Sequence, residues 1–300
     1  HYILSDILFW ILHSVIGYRK LVIRENLAVS FPEKSEDELR DIERGFYHFF
    51  CDYIAESIKL MTIRKENLKR RLVFKGTELI DEIVENGQSC AVYLGHYCNW
   101  EWLSATGLAF RRYTNAVMGL IYHPLYNDAF DKLFIAVRSA HGGSCCPKKD
   151  VLRHLITCKQ EQKPSLFGYI SDQAPRWMNI HLWIKFLNQD TAVFTGGERI
   201  MRKANDAVFY VDMFRPRRGY YTCTFRKITD DINSLPENEV TKQFFLLLEK
   251  AIQRDPAYYL WTHNRWKRTR EEFNERLEVV NGKVIPKDVP VNRENGLVKG

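Results

Sequence analysis

The 300 residues contain no C-x-x-C pair, no H-E-x-x-H run and no cluster of histidines with cysteines. A zinc knuckle and the usual zinc-hydrolase signature are therefore excluded, and neither a metal nor a cofactor is expected. The seven cysteines are an odd number and suggest no disulfide framework. Reduced thiols and a cytosolic environment are expected instead. There is no internal repeat and no low-complexity run, so repeat architectures and flexible linkers are excluded. No apolar stretch reaches the roughly 20 residues of a membrane span. The opening HYILSDILFWILHSVIGYRK is interrupted by Asp6 and His13 and backed by Arg19 and Lys20. No A-x-A cleavage site follows, so it does not read as a signal peptide. Because the first residue is His1, the chain is expected to be an excised or processed piece. Three readings of the opening stay open: the tail of a membrane anchor, an interfacial amphipathic helix, or a helix packed on the core.

What is present reads as a globular chain with a sizeable core, 45% apolar and 27% charged. The formal charge of +7 and sequence pI near 8.9 suit an anionic partner such as a membrane surface, an acidic protein or nucleic acid. No nucleic-acid-binding motif accompanies the charge, so nucleic acid is not expected.

Pro32, then Ser35 with Glu38 as a capping box, predict the start of a long amphipathic helix within 31–61. Beyond it the pattern alternates. Strands are predicted at 72–76, 90–95, 115–122 and 165–171. Helices are predicted at 77–88, 99–111, 126–140 (capped by Asn127), 150–160, 196–204 and 236–253. AVFYVDMF and YYTCTFRKI form an antiparallel pair across RPRRG, and Cys145–Cys146 reads as a loop. The fold class is α/β: a layered sandwich with a mostly parallel sheet and an antiparallel edge. One domain is expected over 1–300, with a helical part over 1–70, an α/β core over 71–270 and a tail over 271–300. Sites in such sheets gather beyond the carboxyl ends of the strands. His96 stands at one such end and Asp172 at another.

The stretch AVYLGHYCNWEW places His96 five positions before Glu101. On an ideal helix residues five apart point about 140° from each other. With His96 in the turn and Glu101 in the first helical turn, both can face one pocket. Glu101 would then accept a bond from one ring nitrogen and leave the other free as a base. A histidine merely satisfied in a turn fits the same spacing. Cys98 as a nucleophile is the remaining option, although strand geometry points it away from His96. Asn99 is a natural helix cap whose neighbouring N–H groups could face an anion.

GHYCNWEW resembles the G-H-[FY]-x-N-W-E block of the lipid A secondary (late) acyltransferases of Gram-negative bacteria. Other blocks follow the same order. YRKLVIRENLAVSFPEKSEDE is similar to R-x-x-N-L-x-x-x-F-P, and IYHPLYNDAFDKLFIAVRSAHGG to Y-R-P-L-x-N-P with its following arginine. GYISDQAPRW resembles the strand ending in Asp, FTGGERIMRKANDAVFYV resembles T-G-x-x-x-[LI]-A-R-K, and YLWTHNRWK resembles W-x-H-x-R-[FW]-K. The resemblance implies a glycerol-3-phosphate-acyltransferase-like fold on the cytoplasmic face of the inner membrane. It implies transfer of a fatty acyl group from acyl carrier protein to a hydroxyl on an acyl chain of a lipid A precursor held in the membrane. By the same resemblance His96 is the general base, Glu101 orients it, Arg138 serves a thioester oxyanion or a phosphate, and Asp172 is the first acid of a D-x-D-like segment. This sequence departs from the pattern at Ala174, the second acid position, at His123, where many members have Arg, and at Asp128, where Pro is usual.

Arg199, Arg202 and Lys203 could hold an acidic headgroup, or belong to a helix opened by a second capping box, Thr195 with Glu198. NRWKRTR (264–270) is either a solvated face or a basic–aromatic patch for an anionic membrane surface. Two rivals remain beside lipid A acylation: an O-acyltransferase acting on an amino-acid lipid or lysophospholipid, and a membrane-bound lipid-binding protein without catalysis. The intact His96/Glu101 pair argues against the second.

Overall fold

The computed structural model describes residues 2–110, 116–122, 124 and 126–287. In chain order the helices and strands are α1 (Tyr2–Phe9), continued by a π-helical turn Trp10–Ile16, α2 (Lys20–Ser30), α3 (Glu36–Leu60), α4 (Lys65–Arg71), β1 (Leu72–Lys75), α5 (Thr77–Glu85), β2 (Cys90–Leu94), a 3₁₀ helix Trp100–Leu108, β3 (Val117–Tyr122), α6 (Asp128–Ser139), β4 (Cys145–Pro147), α7 (Val151–Gln160), β5 (Ser165–Ile170), β6 (Leu182–Phe186), β7 (Gln189–Val193), α8 (Gly196–Ala204), β8 (Ala207–Arg217), β9 (Tyr220–Thr229), α9 (Glu239–Arg254), α10 (Arg270–Arg276), β10 (Leu277–Val280) and β11 (Lys283–Pro286).

Seven strands form the central sheet in the order β1-β9-β8-β2-β5-β3-β4. Five of them, from β8 to β4, run parallel, and β9 turns back on β8 and pairs parallel with β1. This is the expected α/β sandwich with a mostly parallel sheet. Every residue of β2 is buried, because a central parallel strand covered on both faces must be apolar throughout. The capping box Ser35–Glu38 opens α3 and Asn127 caps α6, both as the sequence predicts.

Two expectations need correction, and one hairpin is new. The segment predicted as α-helix over 99–111 is a 3₁₀ helix over Trp100–Leu108 as far as the described residues run. The Ser104 hydroxyl bonds back to the Glu101 carbonyl at 2.7 Å and the Thr106 hydroxyl to the Leu103 carbonyl. Such local bonds compete with α-helical ones. Cys145–Cys146 is not a loop but enters β4, paired parallel with β3 at the sheet edge. The β6–β7 hairpin was not foreseen. Its two turn residues, Leu187 and Asn188, both take positive φ, 49° and 65°, and an Asn-Gly or Asp-Gly signal is missing. Burial of Leu187 and a 2.7 Å bond from its N–H to Glu249 hold the turn instead. Residues 270–287 form α10 and the β10–β11 hairpin, which pack on Trp177 and Trp183. His123 and Asn115 lie outside the described residues.

Candidate active site

β2 and β5 are parallel neighbours with Leu94 opposite Ile170. The loops that leave them therefore emerge side by side, and His96 meets Asp172 although 76 residues separate them. Gly95 permits the turn, because a Cβ there would stand 2.6 Å from Leu248 of α9. Residues 96–98 are then clamped against residues 258–260. Leu260 N–H donates to the His96 carbonyl at 3.1 Å, Cys98 N–H donates to the Tyr258 carbonyl at 2.9 Å, and Tyr97 bridges Tyr259.

Two bonds fix the histidine to the aspartate. The His96 backbone N–H donates to Asp172 Oδ2 at 3.0 Å, and the ring Nδ1 lies 2.6 Å from Asp172 Oδ1. Asp172 is 2% exposed. Burial alone would push its carboxyl up. The His96 ring, the side-chain and backbone bonds from His96, and nearby Arg265 outweigh that and hold it below the usual carboxylate value. An ionised Asp172 accepts the Nδ1 proton, so Nε2 keeps its lone pair. Gln173 Nε2 stands 3.4 Å from that Nε2, and Trp100 presents its ring to the imidazole edge at 5.1 Å.

Glu101 is bonded to Arg138 and not to His96, contrary to the expected pairing. Its two oxygens receive Arg138 Nε at 2.8 Å and Nη2 at 2.7 Å, a bidentate pair. The 3₁₀ winding and the positive φ of Cys98, 51°, turn the Glu101 carboxylate toward α6. Glu101 is 3% exposed and the Arg138 side chain 18%. His96, Glu101, Arg138 and Gln173 line one cavity of about 400 Å³, completed mainly by apolar and aromatic side chains such as Tyr53, Ile121 and Phe134.

The other expected residues take different places. Asn99 opens the 3₁₀ helix without a side-chain cap. It is wholly buried, donates to Glu56 at 2.8 Å and does not line the His96 cavity. Arg202 pairs with Glu198 at 2.7 Å and caps the carbonyls of Ile232, Leu235 and Pro236, a structural clasp rather than a headgroup site. Arg199 and Lys203 are exposed on α8. Thr195 forms no capping box, because Glu198 is taken by Arg202 and by the backbone and hydroxyl of Thr241. Cys98 is fully buried with its thiol pushed well up by desolvation, which excludes it as a nucleophile.

Sequence reasoning missed Glu56 and His263. Glu56 on α3 is completely buried and accepts from Tyr2, Asn99 and Tyr221. No local pattern distinguishes it from any other acid on a helix. His263 Nε2 accepts the Ala174 N–H at 3.1 Å, pinning the loop that carries Asp172 and Gln173. Desolvation first, then Arg265, lower its pKa to about 4, so the ring is neutral and able to accept. The YLWTHNRWK block contained this signal.

Among the described residues no group of three or more metal-ligating side chains could hold a metal ion. A model of the family described as bacterial lipid A biosynthesis acyltransferase matches residues 4–268. Similar curated proteins include lipid A biosynthesis acyltransferase 2 of Shigella flexneri, 21% identical over 241 residues, which cover 79% of this chain and 74% of that protein. Lipid A biosynthesis myristoyltransferase of Escherichia coli (strain K12) is 20% identical over 237 residues, 79% of this chain and 71% of that protein.

Proposed function

The chain belongs to the bacterial lipid A biosynthesis acyltransferase family, and from that premise we propose that it moves a fatty acyl group from acyl carrier protein to a hydroxyl of a lipid A precursor, with His96 as base and Asp172 as the residue that orients it. The observation that supports this most is the 2.6 Å contact between His96 Nδ1 and Asp172. In the proposed step the lone pair on Nε2 takes the proton of the acceptor hydroxyl while its oxygen attacks the thioester carbonyl. The tetrahedral intermediate carries an oxyanion. Arg138 can meet it, because its Nη1 donors are not used by Glu101. The C–S bond then breaks, the thiolate takes the proton from the imidazolium, and the neutral histidine is restored. No protein nucleophile enters the scheme.

The test is direct. The purified chain, incubated with acyl carrier protein thioester and a detergent-solubilised lipid A precursor, should raise the precursor mass by one acyl group. His96→Ala should not. A precursor left unchanged while another hydroxylated lipid gains the acyl group would move the acceptor to a different lipid class. Equal product from wild type and His96→Ala would reject the mechanism.

The reading also sets the protein at the cytoplasmic face of the inner membrane, and α1 supports this. No described helix is long and apolar enough to cross a bilayer. Yet α1 is inverted relative to an ordinary surface helix. Its inward contacts are largely polar, with Tyr2 donating to Glu56 and Ser5 to Asp52 at 2.6 Å, and only Phe9 at its end packs on the core. Its outer face exposes Ile3, Leu4 and Ile7, continued by Trp10, with Leu4 at 69% and Trp10 at 61%. An apolar face turned outward, with the helix held from the other side by the bonds of Tyr2 and Ser5 to α3, suits the interfacial zone of a bilayer. The basic–aromatic segment is a weaker candidate than its sequence suggests. Arg265 is 3% exposed and donates to the Ala192 carbonyl, and Trp266 donates to Thr191. Both brace the β6–β7 hairpin. Substituting Leu4 and Trp10 by Gln is expected to weaken vesicle binding at every salt concentration, since burial of apolar area contributes about 25 cal/mol per Å². Flotation with vesicles checks this, and unchanged binding would remove α1 from the membrane contact. Deletion of the segment is a poorer test, because it also strips Tyr2 from Glu56.

A further inference from the structure

Glu56 sits on α3 with no exposed surface and takes no part in the acyl-transfer scheme above. Three donors meet on its carboxylate: the Tyr2 hydroxyl at 3.0 Å, Asn99 Nδ2 at 2.8 Å and the Tyr221 hydroxyl at 2.6 Å. They come from α1, from the loop after β2 and from β9. A buried carboxylate is costly unless bonds of this kind satisfy it. An apolar side chain at this point of the core would avoid that cost, so packing alone does not call for an acid.

Two of the bonds at Glu56 bear on the active site. Asn99 opens the 3₁₀ helix, and its Oδ1 finds no partner among the described residues. The bond from its Nδ2 to Glu56 is therefore what holds the side chain. The Glu56 carbonyl also receives Trp102 Nε1 at 3.2 Å. One residue of α3 thus pins both ends of the turn 99–102, which closes on itself through the Trp102 N–H and the Asn99 carbonyl at 3.1 Å. Between the pins lie Trp100 and Glu101, and both line the His96 cavity. The Trp100 ring stands edge-on to the imidazole and stacks at 4.2 Å on Tyr53, one turn before Glu56 on α3. Glu101 holds Arg138. The bonds within a 3₁₀ turn are poorer than those of an α-helix, so outside anchors decide where Trp100 and Glu101 point.

We propose that Glu56 is a positioning residue for the reaction: acting through Asn99 and Trp102, it fixes the turn that sets Trp100 against His96 and Glu101 against Arg138. With no exposed surface it touches neither substrate. The proposal rests on the acyl-transfer reading above and adds to it a residue from outside the cavity.

Steady-state kinetics and hydrogen exchange of Glu56→Met, Glu56→Gln and Asn99→Ala in the full chain test it. Methionine keeps the length of the side chain and leaves three donors without an acceptor. Well below its melting temperature, Glu56→Met should lose about 10–100-fold in kcat, the effect of a small displacement of the catalytic groups, with KM for both substrates within about threefold of wild type. Glu56→Gln should stay within about threefold in kcat, because its oxygen can keep Asn99 and Tyr221 while its NH₂ donates to the Tyr2 hydroxyl. Asn99→Ala cuts the link from the other end and should show the same split between kcat and KM, so the test stands if Glu56→Met does not fold. Joining the two changes should lower kcat no further than Glu56→Met alone, because both break one link. A purely structural Glu56 would give a lower melting temperature with wild-type kcat in the folded molecules. That result overturns the proposal, as do additive losses in the double variant or a defect confined to KM. Glu56→Gln as slow as Glu56→Met would overturn it too, assigning the effect to charge rather than to the bonds. Should wild type transfer no acyl group at all, the acyl-transfer reading falls, and hydrogen exchange decides the positioning alone. Glu56→Met must then lose protection over residues 96–108 while β2 and β5 keep theirs. Unchanged protection, or a loss spread evenly over the chain, rejects it.

Discussion

Asp172→Asn should lower the turnover of acyl transfer by about 10³–10⁴-fold while leaving the chain folded, the scale of loss found when the aspartate behind a catalytic histidine is amidated. The geometry says why. Asp172 accepts twice from His96, once from the backbone N–H and once from the ring. An asparagine can keep the first bond through its carbonyl oxygen. Its NH₂ then faces Nδ1 as a donor, the ring proton moves to Nε2, and the lone pair needed as a base is lost. The defect should appear in kcat, with KM nearly unchanged, because the acceptor pocket is not altered. His96→Ala sets the floor for comparison. If Asp172→Asn retained activity within tenfold of wild type while Glu101→Gln fell to the His96→Ala level, Glu101 would be the orienting group after all. The contact seen between His96 and Asp172 would then be only structural.

The distinction between those two carboxylates marks the limit of what could be read from the sequence. Local signals held. Ser35 with Glu38 and Asn127 cap the helices they were expected to cap, because a cap is decided by residues within one turn. The strand–helix alternation predicted the sheet, since buried parallel strands need continuous apolar runs. His96 and Asp172 were each legible at the carboxyl end of a strand. Their pairing was not, because it depends on β2 lying next to β5, and neither strand carries a sign of its neighbour. Spacing suggested a local partner for His96 instead. The positive φ at Cys98 and the 3₁₀ winding after it turned that partner toward α6. Both depend on the clamp from residues 258–260, more than 150 positions away. Asn99 points away from the cavity for the same kind of reason: its partner Glu56 comes from α3, and a buried acid on an amphipathic helix looks like a solvated one until the fold is known.

Arg138 has two possible duties that one experiment separates. It neutralises buried Glu101, and it borders the cavity with donors to spare. Removing one partner of a buried ion pair costs about 3–5 kcal/mol, because the other charge is left without compensation, whereas removing both is often close to neutral. Arg138→Met and Glu101→Gln should therefore each lower the denaturant midpoint, and the double variant should recover most of the loss. Activity should not follow. If Arg138 donates to the oxyanion, Arg138→Met loses about 10²–10³-fold in kcat, as for the removal of one oxyanion donor, and the double variant remains as slow although it is stable again. Glu101→Gln alone keeps the guanidinium and should lose less than Arg138→Met. The measurement is a double-mutant cycle carried out twice on the same four proteins, once by urea unfolding and once by kcat. Coupling in stability without coupling in turnover assigns Arg138 to the transition state. Recovery of both in the double variant would show that Arg138 only balances Glu101, and the oxyanion would then have to be met by other donors around the same cavity.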